Sequence, residues 1–202
     1  MGIFDKLFGG GNKNKNTNTN SINNVQFTVS GELMDDDQFW KIIQKTKDNS
    51  HGNFEQQQEE LAAQLKKLTP SDIILFDNRF SYYRGAAYSW ELWGAIYIIH
   101  GGCSDDSFND FREWVIAQGR DFYQKTIKNP ESLINVDKDE IENADWEGLG
   151  YIPPNVFKEL TGQEMPNAFM ENREITGIEW KEEGDDLKRM FPELYAKYSG
   201  NT

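Results

Sequence analysis

Apolar positions along this chain recur mostly at three- and four-residue intervals, the period of an α-helix. Phe39, Ile42, Ile43 and Thr46 make one stripe behind Asp35, Asp36 and Asp37. Those carboxylates suit a helix start, where free N–H groups and the positive dipole end favour negative charge, and the helix is expected to end near Asn49. After a polar turn at His51 and Gly52, Asn53 is placed to cap a second helix with Phe54, Leu61, Leu65 and Leu68 on one face. Thr69-Pro70-Ser71-Asp72 then opens a third, because proline is tolerated where the N–H is unpaired and Asp72 can bond back toward Thr69. Ile73, Phe76, Phe80, Tyr83 and Ala87 continue at helical spacing, and a break is expected at Gly85 or near Ser89 because the run is too long for one ordinary helix.

The stretch from Tyr88 to Arg120 organises the rest and contains Trp90, Trp93 and Trp114. Its first arm is apolar nearly all round, with Leu92, Ile96 and Ile99 on one side and Trp90 and Tyr97 on another, which predicts a helix covered on several faces. Gly94 would let another backbone approach. Gly101 or Gly102 can take the left-handed conformation that ends a helix, after which Ser104 caps the next, with Asp105 and Asp106 in its first turn and Phe108, Phe111, Val115 and Ile116 facing inward. Glu91 and Arg112 have no opposite charge at neighbouring helical positions, so the two are expected to pair across this hairpin and pin its register.

Outside this centre the patterns are weaker. Residues 1–33 read as a tail: Ile3, Phe4, Leu7 and Phe8 share a side of a short amphipathic start, and Gly9-Gly10-Gly11 with the Asn/Lys run after it has linker composition. Such a start could make weak contact with a membrane surface. Val25, Phe27 and Val29 alternate with polar neighbours, and Ile175 to Trp180 alternates in part, so these two stretches are candidates for one short two-stranded β element. Pro153-Pro154 starts a late helix that Gly162 stops, Trp146 is expected to pack back on the core, and Asp185 begins a last helix interrupted at Pro192. The expected fold is therefore mainly α, an irregular multi-helix bundle of residues 34–202 around a buried central helical hairpin.

Composition narrows the function classes. The chain has 202 residues, 13% of them aromatic, and a net charge of −13. An excess of that sign argues against tracking nucleic-acid phosphates; it permits a basic protein partner or a surface that mimics nucleic acid, and most often serves solubility alone. A single cysteine excludes an internal disulfide, and with no apolar leader or long apolar run the expected location is cytoplasmic. With only His51, His100 and Cys103 as nitrogen or sulfur ligands, neither a structural metal nor a cofactor is expected. Phosphate-cradling glycine loops and the usual hydrolase motifs are absent from the sequence. Asp106, Asp110 and Glu113 share one helical face and, with Asp105, make a candidate acidic surface for a protein-binding or regulatory module, immunity-like in character. The competing reading is an enzyme with Glu91, Asp105 or Asp106 as acid, base or metal ligand and Arg112 on an anionic group. A third is a membrane-surface adaptor working through residues 1–8. Cys103 beside His100 is not read as a nucleophile, since Asp105 and Asp106 raise rather than lower a neighbouring thiol's pKa. Oligomeric state leaves no mark in the sequence.

Phe39-Trp40, Trp90-Glu91-Leu92-Trp93-Gly94-Ala95, Gly101-Gly102-Cys103-Ser104-Asp105-Asp106, Phe108, Phe111-Arg112, Trp114 and Gly119-Arg120 together resemble the bacterial domain of unknown function catalogued as four-two-four-zero. The resemblance spans about residues 34 to 128 and continues loosely through Tyr151, Thr161-Gly162 and Phe191-Pro192-Glu193-Leu194. It implies a mostly helical bacterial cytoplasmic protein and assigns no activity.

Overall fold

The computed structural model describes residues 31–144, 147–167, 169–171 and 174–199. Helix α1, Asp36–Ser50, starts where Asp35 accepts the Gln38 N–H at 3.0 Å and stops at His51 in the left-handed region, φ 50°. Helix α2, Phe54–Leu65, is capped by Asn53, which accepts from Gln56 N at 2.8 Å. Leu68 falls in the turn beyond it, still packed on the core. Helix α3, Pro70–Ala86, has Thr69 accepting from Asp72 N at 3.2 Å while its hydroxyl donates to the Asp72 carboxylate at 2.6 Å. The chain runs helically through Gly85 and breaks at Ala87–Ser89, where Ser89 caps α4, Trp90–His100. Gly101, φ 67°, ends α4, and Ser104 caps α5, Asp105–Ala117, as the sequence pattern predicts.

Helix α6, Arg120–Lys128, leads into a 3₁₀ turn at Pro130–Asn135 and the short α7, Lys138–Glu142. A second 3₁₀ turn at Leu149–Tyr151 runs into α8, Ile152–Thr161, which Gly162 stops with φ 71°. The chain closes with α9, Asp186–Met190, and α10, Pro192–Tyr198. Phe39, Phe76, Phe80, Phe108, Phe111, Trp114 and Phe157 are fully buried and form one continuous core. Each such ring stabilises the fold by about 1.5–3 kcal/mol through area removed from water. The fold is thus mainly α, and no helix among the described residues is long and apolar enough to cross a membrane.

The central hairpin exists, but its arms are buried by different neighbours. Helix α4 packs chiefly on α10, α9 and the Pro130–Asn135 turn, whereas α5 packs on α3, α6 and α1. Gly94 accordingly makes room for side chains rather than another backbone: a Cβ there would lie 2.8 Å from Leu187 and 2.9 Å from the Trp180 indole nitrogen.

This separation defeats the expected Glu91–Arg112 ion pair. Glu91 accepts the backbone N–H of Ile178 at 2.9 Å, and a Cβ on Gly177, φ 89°, would overlap its carboxylate. Arg112 instead donates to the Arg84 carbonyl at 2.9 Å and to Asn109 Oδ1 at 3.2 Å, with its guanidinium 4.7 Å from the Tyr88 ring centre. No strand forms among the described residues. The stretch from Ile175 to Trp180 makes a single parallel bridge, Thr176 with Ser89, through Trp90 N donating to Thr176 O at 2.9 Å and Thr176 N to Tyr88 O at 3.1 Å. Val25, Phe27, Val29, the amphipathic start at residues 1–8 and Trp146 lie outside the described residues.

Candidate functional site

Four regions distant in sequence converge on a cavity of about 1070 Å³. Helix α3 contributes Asp77 and Arg84, α5 contributes Asp110 and Glu113, the 3₁₀ turn contributes Gly150, and the irregular segment after Gly162 contributes Glu171. Asp77 and Arg84 are seven residues apart, two helical turns, and so share a face.

Arg84 lies at the centre of the charge network. Its Nη1 donates to Glu113 Oε1 at 2.7 Å, while Nε and Nη2 hold the two oxygens of Glu171 at 3.0 and 2.8 Å. That second contact is the two-point fork by which a guanidinium recognises a carboxylate. The other Glu113 oxygen accepts Gly150 N–H at 2.8 Å. Glu113 is buried, 3% exposed, and such a charge is tolerated because both oxygens have donors. Position 150 must lack a side chain, since a Cβ would lie 2.6 Å from Glu113 Oε1 and 3.1 Å from Arg84 Nη1. Burial disfavours the Arg84 charge, but Glu171 and Glu113 outweigh it and raise its pKa. Arg112 lies behind, 4.0 Å from Glu171, with its pKa lowered first by burial and its buried Nε without a hydrogen-bond partner among the described residues.

Two further carboxyl groups line the cavity. Asp77 is pushed up to about 7, mainly by burial; Arg84 opposes the shift while Glu113 and Glu171 add to it. Asp110 is pushed up to about 6, again by burial first, then by Glu113, with Glu147 and Asp106 contributing and Asn109 opposing. Carboxyl groups with raised pKa values in one cavity mark a functional-site candidate.

The structure rearranges the residues that the sequence singles out. Asp105 and Asp106 are exposed at the start of α5, Asp110 is half-buried at the cavity and Glu113 is buried in it, so the row does not form one exposed face. It descends from solvent into the protein because α5 is covered along its length. Glu91, Asp105, Asp106 and Arg112 are not brought together: Glu91 is tied to Ile178, and of the α5 acids only Asp110 and Glu113 line the cavity. Trp90 stacks on Trp93, and Trp93 on Phe108, in an aromatic group that Trp180 meets edge-on. Trp114 stacks on Phe111 in the core. Gly102 follows Gly101 in the turn and donates to the Tyr97 carbonyl at 2.9 Å. His100 contacts the Ile141 carbonyl at 2.9 Å, and the Cys103 thiol is pushed up to about 11 by burial, with Trp93 opposing and Asp105 adding, so no activated thiol forms here. Among the described residues no three His, Cys, Asp or Glu side chains gather as a metal ion would require.

Asp77, Arg84, Gly150 and Glu171 are the residues sequence reasoning missed. Asp77 had a visible signal, an acid between Phe76 and Phe80 in an otherwise apolar stripe. Arg84 had a fainter one, and Glu171 and Gly150 had none. No curated protein and no solved structure matches the chain. Residues 34–159, which contain Asp77, Arg84, Asp110, Glu113 and Gly150 but not Glu171, match the family described as Protein of unknown function (DUF4240), and because the match covers more than half of the 202 residues the chain belongs to that family.

Proposed function

We propose that this is a binding protein whose cavity receives a basic group, an ammonium or a guanidinium, from a small molecule or from a partner's side chain. One observation carries the reading. The arginine lining the cavity is already engaged by Glu113 and Glu171, while Asp77 and Asp110 face the same space with raised pKa values. A cation bound at Asp77 and Asp110 offsets their burial and the repulsion each feels from Glu113, and so favours their charged forms. This moves the acidic surface expected from the sequence inward, from Asp105 and Asp106 to Asp110 and Asp77, and keeps its charge preference.

Binding then releases protons and strengthens as pH rises. Calorimetric titration of the full chain with cadaverine and agmatine should show affinity rising about tenfold or more between pH 5.5 and 8, with proton release that Asp77→Asn reduces. Absence of binding at both pH values refutes the reading.

A second reading is supported by one of the same facts. A carboxyl group pushed up to about 7 in the same cavity as one pushed up to about 6 is suited to general acid–base chemistry, with Asp77 the proton carrier. Turnover in a mixture of basic metabolites, lost in Asp77→Asn with cadaverine binding retained, would favour the enzyme over the binding protein.

A further inference from the structure

We infer that Glu171 stands in for a carboxylate of the ligand, so that the cavity takes a small zwitterion bearing a carboxylate at one end and a basic group at the other. The inference rests on the cation reading for one end of the ligand only.

Three observations lead to it. Glu171 belongs to the irregular segment after Gly162, and both of its oxygens are held by the Arg84 fork, at 3.0 and 2.8 Å. A free carboxylate would be held in the same way. Arg112 lies 4.0 Å from the same carboxylate and is nine-tenths buried, with an Nε that has no partner among the described residues, so a second guanidinium lies behind the anion position. This is a built anion position, filled by the protein's own side chain.

The distance between the ends sets the ligand's length. Arg84 and Asp77 are two turns apart on one face of α3, about 10 Å along the axis before their side chains converge. An extended amino acid of lysine or arginine length spans such a gap, and glycine does not. Phe80, Met165 and Pro154 also line the cavity and are available to the methylenes of the chain. The ligand carboxylate displaces Glu171 from Arg84, and its distal cation lies at Asp77 and Asp110.

Lysine paired with cadaverine, and arginine paired with agmatine, isolate the carboxylate, because each pair differs by that group. Glu171→Ala opens the anion position and should raise the lysine-to-cadaverine affinity ratio about tenfold or more over the wild-type ratio, with arginine and agmatine behaving alike. Because the amino acid carries one net positive charge and its decarboxylated partner two, the general loss of negative charge also raises the ratio, so the rise is read at high salt, where that long-range contribution is screened. An unchanged ratio overturns the inference while leaving the cation reading intact, whereas failure of cadaverine to bind the wild-type chain removes that reading. A second measurement needs no basic ligand. Tens of millimolar acetate should raise the Tm of Glu171→Ala, with no such rise in the wild type or with the same concentration of chloride; no acetate effect overturns the anion position. If the alanine variant does not fold, Glu171→Gln takes its place in both experiments, with the same criteria.

Discussion

Glu91 and Glu113 are the same residue in closely similar settings. Each lies on a crowded helix of the central hairpin, lacks an opposite charge three or four residues away along the chain, and accepts a backbone N–H from a distant segment, Ile178 for one and Gly150 for the other. Each also faces a glycine that no larger residue could replace without displacing the carboxylate. They differ in what lies beyond. Around Glu91 the contact is finished, with Trp180 donating to the Trp90 carbonyl at 2.8 Å and Thr176 bridged to the start of α4. Around Glu113 the contact adjoins a cavity and holds an arginine whose remaining donors reach a second carboxylate. The first glutamate ties a segment down; the second supports a site.

Removing the arginine should therefore have the largest effect. Among the described residues, Arg84→Ala leaves buried Glu113 with only the Gly150 N–H and deprives Glu171 of its two Arg84 donors, which should cost about 3–5 kcal/mol in urea unfolding. Adding Glu113→Gln should restore part of it, because the stranded charge is then gone. A loss below about 1 kcal/mol for Arg84→Ala would mean the network contributes no more than a surface ion pair.

The Glu91 side can be broken from its glycine. Gly177→Ala puts a Cβ into the carboxylate at a backbone angle that L side chains rarely adopt, and should cost about 1–3 kcal/mol. Glu91→Ala in the same chain removes the obstruction, so the double variant should lose less than the sum of the two. Cadaverine binding should be unaffected in both, which separates the tie from the site.

Asp77 sharpens the comparison through pH. Its folded pKa is raised from 3.8 to about 7, so below pH 4 the proton is bound in folded and unfolded chains alike and the group adds no pH dependence. Between about pH 4 and 7 only the folded chain keeps the proton, and this contribution to stability falls as pH rises, by at most about 1.4 kcal/mol per pH unit. Above 7 the loss is complete. Asp77→Asn should flatten that part of the profile and make the protein more stable than wild type at pH 8, while weakening cadaverine binding. A group that costs stability and contributes to binding is what a functional site, rather than a packing contact, predicts.

The same contrast explains what could be read in advance. Four helix starts were legible because each carries a local signal: Asp35, Asn53, Thr69 and Ser104 all cap through their own side chains, whereas at Ser89 only a break was legible. The left-handed stops at Gly101 and Gly162 were legible for the same reason. The cavity was not, because residues 77, 113, 150 and 171 meet only through packing among α3, α5, α8 and the turn before it. Glu113 was misread as surface because 106, 110 and 113 do share a helical face, and periodicity cannot say that this face passes from solvent to interior along its length. The Glu91–Arg112 pairing failed on the same point: each charge needed a partner, and nothing local indicated that Ile178 and Arg84 would supply one.

The exposed end of that row gives the smallest effect. Asp105 and Asp106 occupy the first turn of α5, where their charge favours the helix dipole, and the side-chain cap at this start comes from Ser104. Asp105→Asn with Asp106→Asn should lower stability by only about 0.3–1 kcal/mol per site, and less at high salt. The pair should also leave cadaverine affinity within about twofold, since neither residue lines the cavity and Asp106 is the last of the causes that raise Asp110. Asp110→Asn alone should weaken it severalfold. Should the two exposed aspartates prove to matter more for binding than Asp110, the acidic surface would act from outside, on a basic partner that never enters the cavity.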